Sequence, residues 1–300
     1  MKVLISDPLA REGIDRLRKE DGFRIREAPG LSQEELIRTI PEYDALIVRS
    51  ETKVTEEVIG AASRLKVIGR AGTGLDNIDI TSATKRGIIV MNTPGGNTIS
   101  AAEHTISMIL ALSRNIPQAH FSLRSGEWNR KKFMGTEVYG KILGIVGLGR
   151  IGSEVAKRAQ GLKMRVVAYD PFISKERAEQ LGVTLMDLEE LLPEVDYLTV
   201  HTPLSSQTRN LIGEREIALM KKDARIINCA RGGIIQEDAL YQALKENRLK
   251  GAALDVFEKG KPFDSPLLKL DSVIFTPHLG ASTKEAQKRV ALDIVLQVID

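Results

Sequence analysis

Short apolar runs alternate with amphipathic stretches along most of the chain. In the first ninety residues the runs are KVLIS, RIREA, ALIVRS, KVIGRAG and GIIVM. An Arg/Glu-rich helix, a helix from Ser32 and a helix around Val58 fit between them. Beyond residue 170 the same alternation resumes with DYLTV, ARIIN, GAALDV and SVIFT, and residues 237–247 read as a helix burying Ala239, Leu240, Ala243 and Leu244. Strands alternating with helices predict parallel sheets covered on both faces, an α/β fold. Between the halves, NTPGGNT is a Pro/Gly-rich break and the best interdomain hinge. Ser100 with Glu103 has the SxxE pattern of a capping box. The run through Leu112 is apolar nearly all round, so that helix should be buried on most sides, between the domains or in a subunit interface. GEWNRKKFMGTEVYG, from Gly126, has no regular period and reads as an excursion over the surface.

Residues 141–170 carry the most specific pattern. Ile142 to Val146 form a buried-strand run that leads straight into Gly147, Gly149 and Gly152, a GxGxxG. Ile151, Val155, Ala159 and Leu162 then recur at helical spacing, and a second run, Arg165 to Tyr169, ends in Asp170. In a dinucleotide site the first glycine makes the tight turn, the second lets the backbone approach the pyrophosphate, and the third packs helix on strand. The helix N-terminus attracts the anion. An acid at the second strand's tip accepts bonds from ribose hydroxyls and repels a 2′-phosphate, so NAD is expected over NADP.

Composition narrows the classes. Three hundred residues suggest two domains, and a net charge of +3 calls for neither nucleic acid nor an anionic membrane. MKVLISD reaches an acid too soon for a signal peptide, and no apolar run is long enough to span a bilayer. The single cysteine, Cys229, cannot staple its own chain, which fits a reducing, cytoplasmic setting. No metal is expected, since no cluster of ligand residues has usable spacing, and no Ser/His/Asp arrangement is marked.

Ligands in parallel sheets bind beyond the strand C-termini, so residues following each run are the candidates. Arg49 and Ser50 follow the third run, and Arg70 with the loop AGTGLDN follows the fourth. Gly72 and Gly74 there make either a nest for a carboxylate or phosphate or merely a tight turn. Arg130, Lys131 and Lys132 form a cationic cluster that by itself reads as solvated charge. A nicotinamide cofactor implies hydride transfer, which needs a base for the hydroxyl proton. Of the four histidines, His104 and His120 read as structural or solvent-facing. His201 and His278 follow strands, and His278, fixed between Pro277 and Leu279-Gly280, is preferred. Arg231, also at a strand end, has a planar fork suited to a carboxylate.

LGIVGLGRIG, HTPL, NCARGG, GAALDVF and PHLGAST, in this order, resemble the D-2-hydroxyacid dehydrogenase family. VRSETKVT, GRAGTGLDNID and RKKFMGTE resemble its branch acting on 3-phosphoglycerate. The resemblance implies two Rossmann-like parallel-sheet domains joined by a hinge. Residues 1–95, completed by 283–300, would hold substrate, and residues 96–282 would hold NAD and form a homodimer or larger homo-oligomer. It implies His278 as base and Arg231 as carboxylate clamp. Arg49, Ser50, Arg70, Gly72, Thr73, Gly74 and Arg130 would meet a small phosphorylated hydroxy acid. Cofactor contacts would fall on Gly147, Gly149, Arg150, Ile151, Gly152, Asp170, His201, Thr202, Pro203, Cys229, Ala230, Asp255 and Gly280. The implied reaction is NAD-dependent oxidation of 3-phosphoglycerate to 3-phosphohydroxypyruvate in serine synthesis. The alternatives are another 2-hydroxyacid dehydrogenase, such as a glyoxylate or hydroxypyruvate reductase, and a non-catalytic NAD-binding module resembling the family's corepressors.

There are two departures from the family. A glutamate that partners the base is expected five residues after the aspartate of DVF, and Gly260 stands there, flanked by Glu258 and Asp264. Loss of an opposite charge, which raises an imidazole pKa by about one to three units, should leave His278 nearer roughly 6.5. The chain also stops at Asp300 in the helix-like ALDIVLQVID. It is therefore read as a short form or a piece of a longer chain, without serine inhibition of its own.

Overall fold

The computed structural model describes residues 1–300 and divides the chain into two compact units: Met1–Thr98 with Ala281–Asp300, and Ile99–Gly280. The expected bounds were 1–95 with 283–300, and 96–282. Helices run α1 (Arg11–Arg18), α2 (Gln33–Thr39), α3 (Glu56–Ala61), α4 (Ile80–Lys85), α5 (Thr98–Ser113) and α6 (Ile116–Arg124). They continue with α7 (Arg150–Gly161), α8 (Lys175–Gln180), α9 (Leu188–Leu191), α10 (Glu214–Leu219), α11 (Glu237–Lys245) and α12 (Lys284–Ile299). No helix is long and apolar enough to cross a membrane.

The smaller unit is a five-stranded parallel sheet of β1 (Lys2–Ile5), β2 (Arg24–Glu27), β3 (Ala45–Val48), β4 (Val67–Arg70) and β5 (Ile89–Asn92). Its strand order is β2-β1-β3-β4-β5. Successive side chains of a strand face opposite ways, and both faces are covered. Val3, Ile5, Ala45, Ile47 and Val67 pack with α1 and α12, while Leu4, Leu46, Val48 and Ile68 pack with α2 and α3. Chain end and chain start meet closely: a Cβ on Gly13 of α1 would lie 2.8 Å from the Ala291 carbonyl oxygen of α12. Helix α2 begins with a capping box, in which Glu35 N–H donates to Ser32 Oγ at 3.3 Å and Ser32 N–H to Glu35 Oε2 at 2.8 Å.

The larger unit is a seven-stranded parallel sheet of β6 (Ile142–Val146), β7 (Arg165–Tyr169), β8 (Thr184–Leu185), β9 (Tyr197–Val200), β10 (Arg225–Asn228), β11 (Gly251–Leu254) and β12 (Val273–Phe275). Its order is β12-β11-β10-β9-β6-β7-β8. Helices α5 and α7 cover the face carrying Leu143, Ile145, Tyr197 and Ile227, and α10 and α11 cover the face carrying Val146, Leu198, Val200 and Ile226. The capping box expected at Ser100 is not there. Helix α5 starts at Thr98, and Ser100 lies buried inside its first turn. The start is set by the glycines of the preceding break, where Gly96 N–H donates to the Thr93 carbonyl and Thr98 N–H to that of Gly95. Within the aperiodic surface segment, residues Arg130–Phe133 form a single 3₁₀ turn capped by Asn129, whose Oδ1 accepts from Lys132 N–H at 3.3 Å.

Candidate active site

In the larger sheet the chain winds outward from β6 in one direction and from β9 in the other, so the strand order reverses between them. Crevices at such switch points hold ligands in open α/β sheets. The glycine turn after β6 and the segment His201, Thr202, Pro203 after β9 flank that point. Each glycine of the turn has its own steric reason. Gly147 has φ +96°, and a Cβ there would lie 2.9 Å from the His201 carbonyl carbon and oxygen. Gly152 brings α7 against the turn, since its Cβ would collide with the Gly147 carbonyl oxygen. Gly149, the N-cap of α7, faces open space, which leaves room for a phosphate at the helix N-terminus. Arg150 next to it is exposed and Ile151 half-buried.

Asp170, at the end of β7, closes this turn. Its Oδ2 accepts Leu148 N–H at 2.7 Å, and its Oδ1 accepts Phe172 N–H at 2.9 Å. Each carboxylate oxygen keeps a second acceptor direction for a ribose hydroxyl. His201 is half-buried, with Nε2 3.0 Å from Thr199 Oγ1, and burial pushes its pKa down to about 4. Such an imidazole is a weak base at neutrality. Thr202 Oγ1 is buried and takes no partner from the chain. An unused hydroxyl beside an open glycine turn fits a bound dinucleotide.

Strands β10, β11 and β12 are neighbours, so their C-terminal turns line one rim. After β10, buried Asn228 folds the next turn: its Nδ2 donates to the Arg231 carbonyl at 2.8 Å, and its Oδ1 accepts Ala230 N–H at 3.0 Å. This sets the backbone of half-buried Arg231, whose Nη1 donates to the Ala230 carbonyl at 2.7 Å. Gly232 lets this turn press on the next, since a Cβ would collide with the Phe257 carbonyl. Burial, and secondarily the Asp255 charge, push the Cys229 thiol up to about 12, so it stays neutral and presents an apolar surface.

Asp255, after β11, is fully buried. Its Oδ1 accepts Thr276 Oγ1–H at 2.6 Å and Leu279 N–H at 2.7 Å, and its Oδ2 accepts Gly280 N–H at 2.9 Å. Burial alone would raise its carboxyl; the bonds from His104, Thr276, Leu279 and Gly280 outweigh that and hold it below the usual carboxylate range. His278, between those donors, is exposed and sits at φ +58°, left-handed backbone that few side-chain-bearing residues adopt. Its N–H donates to the carbonyls of Asp255 and Thr276, both at 3.0 Å. Gly260 is exposed at φ +78° with open space where a Cβ would go. Of its neighbours, Glu258 pairs with Arg209 at 3.3 Å.

The smaller unit holds its candidate cations at the strand ends. Asp7, after β1, accepts Arg49 N–H at 2.5 Å and the Thr52 hydroxyl at 2.6 Å, while Asn77 Nδ2 donates to the carbonyls of Arg49 and Thr52. Arg49 Nη1 donates to the Pro8 carbonyl at 3.2 Å, and Ser50 beside it is exposed. After β4, Gly72 at φ +148° lies under the Arg70 guanidinium, and its N–H donates to the Arg70 carbonyl at 2.8 Å. Thr73 is pinned through Oγ1 to Asn97 Oδ1 at 2.7 Å, and Gly74 follows it, half-buried. Arg130, Lys131 and Lys132, in the larger unit, are all exposed.

Sequence reasoning missed Asn228, Asp7, Asn77 and the role of His104. Asp7 and Asn77 bond partners 25 to 45 residues away, so no local pattern marks them. The partners of Asn228, Ala230 and Arg231, lie beside it within NCARGG, a signal the sequence did offer.

Similarity to known proteins agrees with this geometry. Residues 106–280 match the family model described as D-isomer specific 2-hydroxyacid dehydrogenase, NAD binding domain. The chain is 54% identical over 301 residues to D-3-phosphoglycerate dehydrogenase of Archaeoglobus fulgidus, covering all of this chain and 57% of that one. It is 52% identical over 302 residues to the human enzyme of that name, covering 56% of it. The chain thus spans little more than half the length of these relatives. Among solved structures it resembles D-lactate dehydrogenase from Aquifex aeolicus complexed with NAD and lactic acid, with a TM-score of 0.86, 29% identity, and 99% and 94% of the two chains covered. An acyclic imino acid reductase in complex with NADPH and D-Arg gives 0.88 and 30%, with 99% and 96% covered. An open glycine turn at the switch point of a parallel sheet, together with these matches, shows that the chain belongs to the D-isomer specific 2-hydroxyacid dehydrogenase family.

Proposed function

We propose that this chain oxidises 3-phosphoglycerate to 3-phosphohydroxypyruvate with NAD. Bound in the crevice, NAD would supply the acceptor for the hydride of the carbinol carbon. The chain supplies the rest: His278 takes the hydroxyl proton, and the Arg231 guanidinium grips the carboxylate through parallel N–H donors. His201, with its pKa near 4, does not compete as base. The glycine turn and Asp170 hold the pyrophosphate and adenosine ribose, and the Asp170 charge opposes a 2′-phosphate.

The observation that carries this reading is the rim of β10 to β12, where buried Asn228 and Asp255 organise the two turns bearing Arg231 and His278. Substrate class rests on the cations and on the names of the relatives. Phosphoglycerate carries roughly three negative charges at neutrality, and single exposed ion pairs are weak, so several cations are needed. The candidate cations are Arg49 and Arg70 in the smaller unit and Arg130, Lys131 and Lys132 in the larger. Gly72 has committed its own amide, so the anion would meet the amides of Thr73 and Gly74. A homodimer through the larger unit is supported by its exposed Phe121, Trp128 and Met134. A compartment that supplies NAD, such as the cytoplasm, suits this reaction.

A substrate panel tests the assignment. Replacing Arg130, Lys131 and Lys132 by glutamine should raise KM for 3-phosphoglycerate at least tenfold, as expected for losing charge-assisted bonds of about 1.5–3 kcal/mol. Equal KM before and after, or preferred turnover of glyoxylate, would assign a nonphosphorylated substrate instead.

A further inference from the structure

We propose that His104, on α5, is a positioning residue for the base-bearing turn. The proposal rests on the reading of His278 as base. Residues 276–280 hang from one aspartate: the Thr276 hydroxyl and the amides of Leu279 and Gly280 all donate to the Asp255 carboxylate, and His278 N–H donates to its carbonyl. The turn holds His278 in left-handed backbone, a conformation that persists only where the surroundings over-determine it. The orientation of the Asp255 carboxylate therefore decides where the imidazole sits.

The group that fixes this carboxylate from another element is His104. Its Nε2 lies 3.0 Å from Thr276 Oγ1 and 3.3 Å from Asp255 Oδ1. The proton's place follows from donor capacity. An ionised carboxylate only accepts, and a threonine hydroxyl has one hydrogen. The 2.6 Å contact between Thr276 Oγ1 and Asp255 Oδ1 uses that hydrogen. His104 Nε2 must then carry a proton and donate toward both oxygens. Helix α5 is a firm base for this donor, because Met108, Ile109 and Leu112 on it are buried in the core of the larger unit. His104 itself is largely buried, with 17% of its side chain exposed. It thus pins hydroxyl and carboxylate together, and through them the two amides that follow His278.

The test compares His104→Leu, which removes the donor, with His104→Gln, which keeps an N–H at similar reach. The leucine variant should lose between about tenfold and a hundredfold in kcat, the range for misplacing a reacting group by up to an ångström. KM for 3-phosphoglycerate and the Kd for NAD should stay near the parent's. Amide hydrogen exchange at Leu279 and Gly280 should quicken in the leucine variant, and glutamine should restore both exchange and kcat. Thr276→Val, which breaks the same link from the other side, serves if the leucine variant does not fold, and it should quicken exchange at the same amides. Parent-like kcat and exchange in His104→Leu, or a glutamine variant as impaired as leucine, would overturn the proposal. Exchange needs no turnover, so it decides the role of His104 even if the parent fails to oxidise 3-phosphoglycerate, a result that would sink the functional reading alone.

Discussion

Replacing Asp170 with asparagine should lower the ratio of NAD affinity to NADP affinity. The carboxylate oxygens each hold one main-chain N–H, at 2.7 and 2.9 Å, which fixes the group and leaves one acceptor direction apiece for the two ribose hydroxyls. A hydrogen bond to an ionised partner is worth about 1.5–3 kcal/mol, so neutralising this acceptor should weaken NAD roughly tenfold to a hundredfold. A 2′-phosphate carries about two negative charges, and on a ribose held by Asp170 they would lie on the order of 5 Å from its carboxylate. In a solvated setting each unit pair repels by about 0.8 kcal/mol, so removing the charge relieves about 1.7 kcal/mol and strengthens NADP roughly fifteenfold. The ratio of the two affinities should therefore fall by about two to three orders of magnitude. Calorimetric titration of both cofactors at one fixed salt concentration measures it, since screening weakens the repulsive part. The asparagine amide also faces one main-chain N–H donor to donor, so a lower Tm is expected alongside. An unchanged ratio would show that Asp170 only braces the glycine turn.

Two further outcomes follow from the site. Because His201 has its pKa near 4 when folded and about 6.5 when unfolded, the unfolded chain binds the proton first, and stability present above pH 6.5 is lost as pH falls toward 4. The loss is at most about 3 kcal/mol; denaturant unfolding of His201→Asn across that range should show a flatter acid slope, and parallel curves would contradict the assignment. Gly260→Glu places a side chain at φ +78°, which costs about 1 to 2 kcal/mol, yet meets no steric obstacle. It should lower Tm while moving the His278-dependent limb of the kcat/KM pH profile to higher pH, and an unmoved limb would show that a carboxylate at position 260 does not reach the His278 imidazole.

Most strands were legible because buried parallel strands are written as short apolar runs, and every run read from the sequence forms a strand, although β2, sequence RIRE, is charged and mostly exposed. Strand β8 was not, since two residues, Thr184 and Leu185, carry no period. The glycine turn was legible because GxGxxG is a local steric pattern, and Gly147 and Gly152 each prove to be places where a Cβ has no room. Ser100 misled because SxxE records side-chain chemistry, whereas the start of α5 is set by backbone turning at Gly95 and Gly96. His104 read as structural or solvent-facing, since its partner Thr276 lies 172 residues away. Only folding brings α5 to the end of β12. Asp255 was read as a cofactor contact; its oxygens accept from Thr276, Leu279 and Gly280, so it also holds the turn that carries His278, a role no local pattern announces.

If Arg231 and His278 make this sheet rim an oxidising site for a phosphorylated hydroxy acid, initial rates of NADH formation from 3-phosphoglycerate, for the parent and for His278→Ala, will show it, with NAD affinity measured on both. Turnover by the parent is expected, with a fall of about a hundredfold to ten-thousandfold in the variant, the range for losing a general base, and NAD affinity kept. A parent that binds NAD but forms no NADH, or a variant as fast as the parent, would contradict this assignment.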